Sequence, residues 1–258
     1  MVDYEVQGRV ALITLNRPDA RNAVNGEVAT AMEAAIDAME DDAEVWVGVL
    51  RANTEGQERP VFSAGADLKA INAGQGASLS TARGGFAGFA YRDRRKPVIV
   101  AVDGLATAGG CEIVLAADMV VATTRSAFGL AEVKRNLVAG AGGLFRLPRA
   151  VGRAAAMEAI LTGEPIPAER AYQLGLVNRL VEPGAAETEA LALAAAVCES
   201  APLAVWESRA VVLAAEDADE DTLKSMTNAA MGIMMRSEDL KEGLTAFIEK
   251  RPPQWKGR

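Results

Sequence analysis

Ala108-Gly109-Gly110-Cys111-Glu112 is the stretch on which the reading of this chain turns. Two adjacent glycines let a backbone approach another group closely, and a carboxylate follows at once. Upstream, Phe62-Ser63-Ala64-Gly65-Ala66-Asp67-Leu68-Lys69 supplies a second run of small residues. Downstream, Gly129-Leu130-Ala131-Glu132 delivers a second carboxylate 20 residues after the first. Small residues expose backbone N–H groups that can hold a developing negative charge. Two carboxyl groups can move protons.

Composition narrows the chemistry. The 258-residue chain has no histidine, which removes the commonest proton shuttle and metal ligand together with serine–histidine and cysteine–histidine catalysis. Its two cysteines, Cys111 and Cys198, lack metal-ligand spacing and read as reduced thiols, Cys111 as a structural one. The net charge of −8 opposes binding to nucleic acid or to an anionic membrane surface. No apolar run reaches the ~20 residues of a membrane span. The N-terminus carries no signal-peptide pattern, so a cytoplasmic protein is expected.

Alternation of short apolar runs with helical periods gives an α/β class. Tyr4–Leu15 reads as a hairpin about Gln7-Gly8. Residues 26–40 read as a helix with Val28, Met32, Ala35, Ile36 and Met39 on one face and Asn25 as N-cap. Residues 45–50, 98–102 and 119–122 read as strands, and about 110–116 as a helix. Residues 73–88, rich in Gly, Ala and Ser, read as mobile or loosely helical. The charged run Tyr91–Lys96 reads as a solvated helix end. From Glu187 onward the chain reads as helices, with Met226, Met231, Met234 and Met235 forming core or a surface for a partner helix.

The motifs around Ala66, Gly109, Glu112 and Glu132, taken in order with Val10–Pro18 near the start and Ala246–Arg251 near the end, resemble the enoyl-CoA hydratase/isomerase (crotonase) superfamily, most closely bacterial enoyl-CoA hydratases. The resemblance implies a crotonase-like spiral of strand–strand–helix (ββα) repeats over residues 1–195, holding an acyl-CoA site. It implies a C-terminal helical segment, 196–258, that assembles a homotrimer or a dimer of trimers. The backbone N–H groups of Ala66 and Gly109 would form the oxyanion hole. Glu112 would activate water and Glu132 would protonate Cα. Ala64, Asp67, Leu68 and Lys69 would run along the CoA, and Lys250 would lie near its phosphates. Asp67 also suits the N-cap of a helix starting near Leu68, a role that needs no ligand.

The expected reaction is addition of water to a trans-2-enoyl-CoA, giving a 3-hydroxyacyl-CoA. No metal or other cofactor is called for, since CoA belongs to the substrate. The rivals are an isomerase or a specialised hydratase of the same superfamily, and a non-catalytic acyl-CoA- or RNA-binding member. The charge argues against RNA, and the paired glutamates argue for catalysis. Three departures bear on the acyl group: Ala131 where proline commonly precedes the second glutamate, Lys134-Arg135-Asn136 in place of an apolar stretch, and Val138-Ala139 in place of Ile-Pro.

Overall fold

The computed structural model describes residues 1–258. Two sheets run side by side, and the chain visits them alternately. The larger has the order Val2–Gln7, Val10–Leu15, Val47–Ala52, Val98–Val102, Met119–Thr123, Arg179–Val181. Its first pair is an antiparallel hairpin, and every later pairing is parallel. The smaller sheet has the order Ile166–Pro167, Ala127–Gly129, Leu105–Thr107, Val61–Ser63.

Three of the long parallel strands are each followed by one three-residue strand of the second sheet and then by a helical turn. Val47–Ala52 leads to Val61–Ser63 and the Leu68–Asn72 helix. Val98–Val102 leads to Leu105–Thr107 and the Gly109–Leu115 helix. Met119–Thr123 leads to Ala127–Gly129 and the short 3₁₀ turn Glu132–Arg135. This is the expected spiral of ββα repeats. Its consequence is geometric: the segments after the three short strands emerge from neighbouring strands of one small sheet, so residues far apart in sequence meet there.

The central long strands are largely apolar because both faces are covered. On one side, Leu50, Val98, Val100 and Val102 join Val28, Met32, Ile36 and Met39 of the Gly26–Asp41 helix in the main core. On the other, Val10, Leu12, Val47, Val49 and Ile99 meet Ala186, Ala190 and Ala194 of the Ala186–Cys198 helix. Gly48 has no side chain to offer because a Cβ there would sit 2.6 Å from the Met39 sulfur. The Gly26–Asp41 helix begins where expected: Asn25 Oδ1 accepts the Val28 N–H at 3.0 Å. An N-cap of this kind contributes ~1 kcal/mol.

Two expectations change. Tyr91–Lys96 is not a solvated helix end, because its charges are consumed internally. Arg94 is buried, donating to the Ala116 carbonyl at 2.6 Å and pairing with Asp118. Lys96 is buried too, and its ammonium donates to the Met39 and Asp42 carbonyls at 2.7 and 2.6 Å, closing the C-terminus of the Gly26–Asp41 helix. Residues 73–88 are ordered into the 3₁₀ turn Gly76–Leu79 and a small hairpin, Ser80–Thr81 with Gly85–Phe86.

The C-terminal part is helical: Pro202–Ala214, Glu220–Met234 and Glu238–Glu249 follow Ala186–Cys198. Arg209 ties the first of these to the spiral, bonding Asp118 at 2.8 Å, and Asp118 in turn receives the Val98 N–H at 2.7 Å. No single helix is long and apolar enough to cross a membrane.

Candidate active site

The Ala64–Asp67 segment is fixed from below. Asn22, buried and at φ +52°, donates to the Asn53 and Val61 carbonyls, and its own carbonyl accepts the Ser63 hydroxyl at 2.9 Å. Val24 forms an isolated parallel bridge with Ala66. The Val24 N–H reaches the Gly65 carbonyl and the Val24 carbonyl receives the Asp67 N–H, both at 2.8 Å. In a parallel ladder the central residue of such a bridge points its own N–H the other way. The Ala66 N–H accordingly has no acceptor in the chain.

Ala66 lies beside the start of the Gly109–Leu115 helix. Gly65, at φ +80°, lies so near that a Cβ there would sit 2.6 Å from the Gly109 nitrogen. Gly109 opens that helix, and its N–H is among the first four that a helix cannot satisfy from within. Gly110 lets the helix rest on the Ser63 backbone, since any Cβ would collide with the Ser63 carbonyl. Ala108, just before, is held at φ +51°, ψ −129°, a region glycine tolerates and alanine does not. That strain sits one residue from the Gly109 amide.

Asp67 does what its N-cap position predicts. One carboxylate oxygen accepts the Lys69 and Ala70 N–H groups at 2.9 and 3.3 Å. The other takes the Arg17 guanidinium at 2.6 Å, and Arg17 also donates to the Ala23 carbonyl at 3.0 Å. Hydrogen bonding to Arg17 holds the Asp67 carboxyl below its usual range. Leu68 and Lys69 are exposed at the start of their short helix. Lys250 caps the last helix at φ +54°, also exposed. Neither lysine ammonium makes an ion pair in the chain, so both cations are free for an anionic ligand.

The two glutamates occupy contrasting surroundings. Glu112 is buried in the first turn of its helix, and its Oε1 accepts the Ala141 and Gly143 N–H groups at 2.7 and 2.9 Å. Burial pushes its carboxyl above the ordinary range, against the lowering effect of those two amides and of the Arg146 guanidinium. Glu132 lies in the 3₁₀ turn after Gly129, and its Oε2 is buried with no hydrogen-bond partner. Burial raises its carboxyl as well; its own amide offsets part of this, while the nearby Glu112 charge adds to it. The two groups are therefore electrostatic neighbours. Glu112 is equipped to be the anion, and Glu132 is equipped to keep a proton.

Cys111, immediately before Glu112 in sequence, is fully buried. Desolvation first, and then both glutamates, push its thiol far up, so it is inert filling, as expected from the missing histidine. A cavity of about 1040 Å³ is elsewhere. It opens at the far end of the Gly109–Leu115 helix, between Ala116–Asp118 and the Pro202–Ala214 helix.

The structure thus brings Ala66, Gly109, Glu112 and Glu132 to one place and Ala64, Asp67, Leu68 and Lys69 beside it. Arg17, Asn22, Tyr91 and Arg146 were not foreseen. Arg17, Asn22 and Tyr91 act through partners distant in sequence, Arg146 through the Ala141 carbonyl five residues before it, and only Arg17, in Val10–Pro18, and Tyr91, in the charged run, lay in stretches the sequence marked.

The sequence matches the profile of the enoyl-CoA hydratase/isomerase family over residues 5–258. It is 37% identical to a short-chain-enoyl-CoA hydratase of Clostridium acetobutylicum, with 97% of this chain and 95% of the relative aligned. It is 36% identical to a carnitinyl-CoA dehydratase of Salmonella arizonae, with 97% and 96% aligned. The fold superposes on the crystal structure of an enoyl-CoA hydratase from Mycobacterium marinum with a TM-score of 0.93 and 44% identity, covering 100% of this chain and 99% of that one. Amide donors, paired carboxyl groups, spiral and sequence agree: this chain is a member of the enoyl-CoA hydratase/isomerase family.

Proposed function

We propose that the protein is an acyl-CoA hydratase that adds water across the 2,3 double bond of a trans-2-enoyl-CoA to give a 3-hydroxyacyl-CoA. One observation carries the reading: two neighbouring carboxyl groups, one buried and gripped at one oxygen by two backbone amides, the other half-buried with a buried oxygen lacking any partner. The unpartnered Glu132 oxygen is a site for the reacting water. Glu112 takes a proton from that water as its oxygen bonds to Cβ. The displaced electron pair moves through Cα to the thioester oxygen, which the Ala66 and Gly109 N–H groups receive. Glu132 then gives its proton to Cα. Loss of one such oxyanion donor costs ~3–4 kcal/mol of barrier.

Several finer assignments belong to the same proposal. CoA lies along Ala64, Asp67, Leu68 and Lys69, with Lys250 near its phosphates, and no metal or separate cofactor takes part. Residues 1–195 carry the site, and residues 196–258 join copies of the chain in a homotrimer or a dimer of trimers. The last helix supports this assembly, because Phe247 and Ile248 are 85% and 77% exposed and two such apolar neighbours are more than a monomer surface needs. A cytoplasmic setting fits the reduced cysteines.

The test is the loss of enoyl-thioester absorbance with crotonyl-CoA and longer 2-enoyl-CoAs, repeated for Glu112→Gln and Glu132→Gln. Both variants are expected to lose most of the rate. The wild-type pH profile is expected to be a bell whose two apparent pKa values belong to the pair. Activity needs Glu112 ionised, so it appears as pH rises through the lower value. It needs Glu132 protonated, so it is lost as pH rises through the upper one. Since burial raises both groups, both limbs lie above the free glutamate value of about 4.3. An unchanged rate in either variant would overturn the two-carboxylate scheme. Turnover of carnitinyl-CoA in preference to straight-chain enoyl-CoAs would keep the chemistry and change the acyl group.

A further inference from the structure

We propose that Tyr91 and Arg146 are positioning residues that clamp the Gly140–Gly143 turn from behind and so hold the water-activating Glu112. The turn has two sides. On one, the Ala141 and Gly143 amides grip Glu112 Oε1. On the other, the Tyr91 hydroxyl donates to the Gly140 carbonyl at 3.1 Å and Arg146 Nη1 donates to the Ala141 carbonyl at 3.1 Å.

The Gly140 carbonyl and the Ala141 N–H belong to one peptide group. A donor on its oxygen polarises the same group that donates to Glu112, so the bonds strengthen one another in series. Arg146 also lies over the Tyr91 ring, 5.2 Å from its centroid, and the two clamps brace each other. Gly142, at φ +104°, leaves the room this needs, because a Cβ there would sit 2.5 Å from Arg146 Nη1.

Arg146 differs from its neighbour one turn on. Arg149 pairs with Glu216 and Asp217 at 2.9 and 2.6 Å, whereas Arg146 has no carboxylate partner. Its charge is left to act on Glu112. The charged and titratable groups facing Glu112 are Cys111 on its own helix, Glu132 on the 3₁₀ turn, and Arg146 on the Gly143–Val151 helix, while Arg135 acts on Glu132. Tyr91, Arg149 and Glu216 act on Arg146 from behind. Among the facing groups, only Arg146 both carries a positive charge and bonds to the turn that holds Glu112.

The rate readout of this inference rests on the hydratase reading, so the first measurement is made without turnover. Difference infrared spectroscopy of the whole protein, with Glu112→Gln as the subtraction control, follows protonation of the Glu112 carboxyl. Arg146→Met is expected to raise its midpoint by about half a pH unit or more. Tyr91→Phe should raise it by less, and Arg146→Lys should return it toward wild type. With crotonyl-CoA, the acid limb of the pH–rate profile should move by the same amounts.

A Glu112 midpoint unmoved in both Arg146→Met and Tyr91→Phe overturns the inference, even if the rate falls. Should Arg146→Met fail to fold, Tyr91→Phe decides alone, since that ring is half exposed and its removal touches only the hydroxyl bond. Failure of the wild type to hydrate any enoyl-CoA would sink the functional reading and leave the infrared result to judge the clamp.

Discussion

Gly65→Ala should disable the oxyanion hole without removing either glutamate. The added methyl would stand 2.6 Å from the Gly109 nitrogen, 3.1 Å from the Ala108 Cβ and 3.1 Å from the Thr107 carbonyl oxygen. Optimal carbon contacts lie at about 3.5–4.0 Å, so the start of the Gly109–Leu115 helix must retreat by about 1 Å. A misplacement of that size in a reacting constellation costs about 10²-fold in rate. Losing a donor outright costs about 10²–10³ in kcat. Gly65 also stands at φ +80°, where alanine adds about 1–2 kcal/mol of backbone strain. Overpacking adds about 1–3 kcal/mol.

The assay separates these effects. Chemical unfolding gives the stability loss. kcat for crotonyl-CoA, corrected for the folded fraction, gives the catalytic loss, expected to be about 10²-fold. Gly76→Ala is the control: it lies outside the site turns, its Cβ would meet only Ile71, at 3.9 Å, and its kcat should stay within about twofold. A Gly65→Ala protein that is folded and within about threefold of the wild-type kcat would show that the Gly109 amide does not hold the thioester oxygen.

Three further outcomes follow from the same geometry. Ala108→Gly should raise stability by about 1 kcal/mol, since it relieves a backbone conformation unfit for alanine, and thermal unfolding should shift up by about 2–4 °C; an unchanged or lower midpoint would contradict the strain at φ +51°. Asp67→Ala removes both an N-cap and the Arg17 bond and should cost about 2 kcal/mol or more, whereas Asp67→Asn keeps a capping oxygen and should lose less; equal losses on unfolding would show that the cap is irrelevant. Because the Asp67 carboxyl is held low in the fold, its stabilising effect is full above the unfolded pKa of about 3.9 and is lost as pH falls through the lower folded value. Cys111 should resist thiol reagents in the native state and activity should survive their use, Cys198 being only slowly reactive with its thiol raised to about 11; rapid modification of Cys111 would contradict its burial.

Much of this was legible in the sequence, for identifiable reasons. The long strands announce themselves because covering both faces forces continuous apolar runs, as in Val98–Val102. The Gly26–Asp41 helix shows both its face and its cap. The site motifs are legible because a free amide needs small neighbours and leaves glycine behind. By contrast, Val61–Ser63, Leu105–Thr107 and Ala127–Gly129 are three residues each, too short for any period to emerge. The helices Arg153–Thr162 and Ala168–Leu174 left only their terminators, Gly163 at φ +68° and Gly175 at φ +93°, a signal that could have found them. Tyr91–Lys96 misled because a charge run ordinarily faces water. Here each cation reaches a partner in another element, as Lys96 does at the end of the Gly26–Asp41 helix.

The short strands that escaped the sequence are the ones that build the site. The amides proposed for the oxyanion hole follow the strands Val61–Ser63 and Leu105–Thr107, and the second glutamate follows Ala127–Gly129; Leu105–Thr107 pairs in parallel with both of the others. A parallel sheet places the ends of its neighbours about 4.8 Å apart, so three successive turns of the spiral deliver an amide, an amide with a carboxylate, and a carboxylate to adjacent positions. Each turn can vary the segment between its strands without moving those ends. The Lys134-Arg135-Asn136 and Val138-Ala139 departures fall in such a segment, between Glu132 and the turn that grips Glu112. Under the proposed scheme the acyl group can therefore change while both glutamates keep their places, and relatives named for enoyl-CoA and for carnitinyl-CoA align with this chain almost equally well.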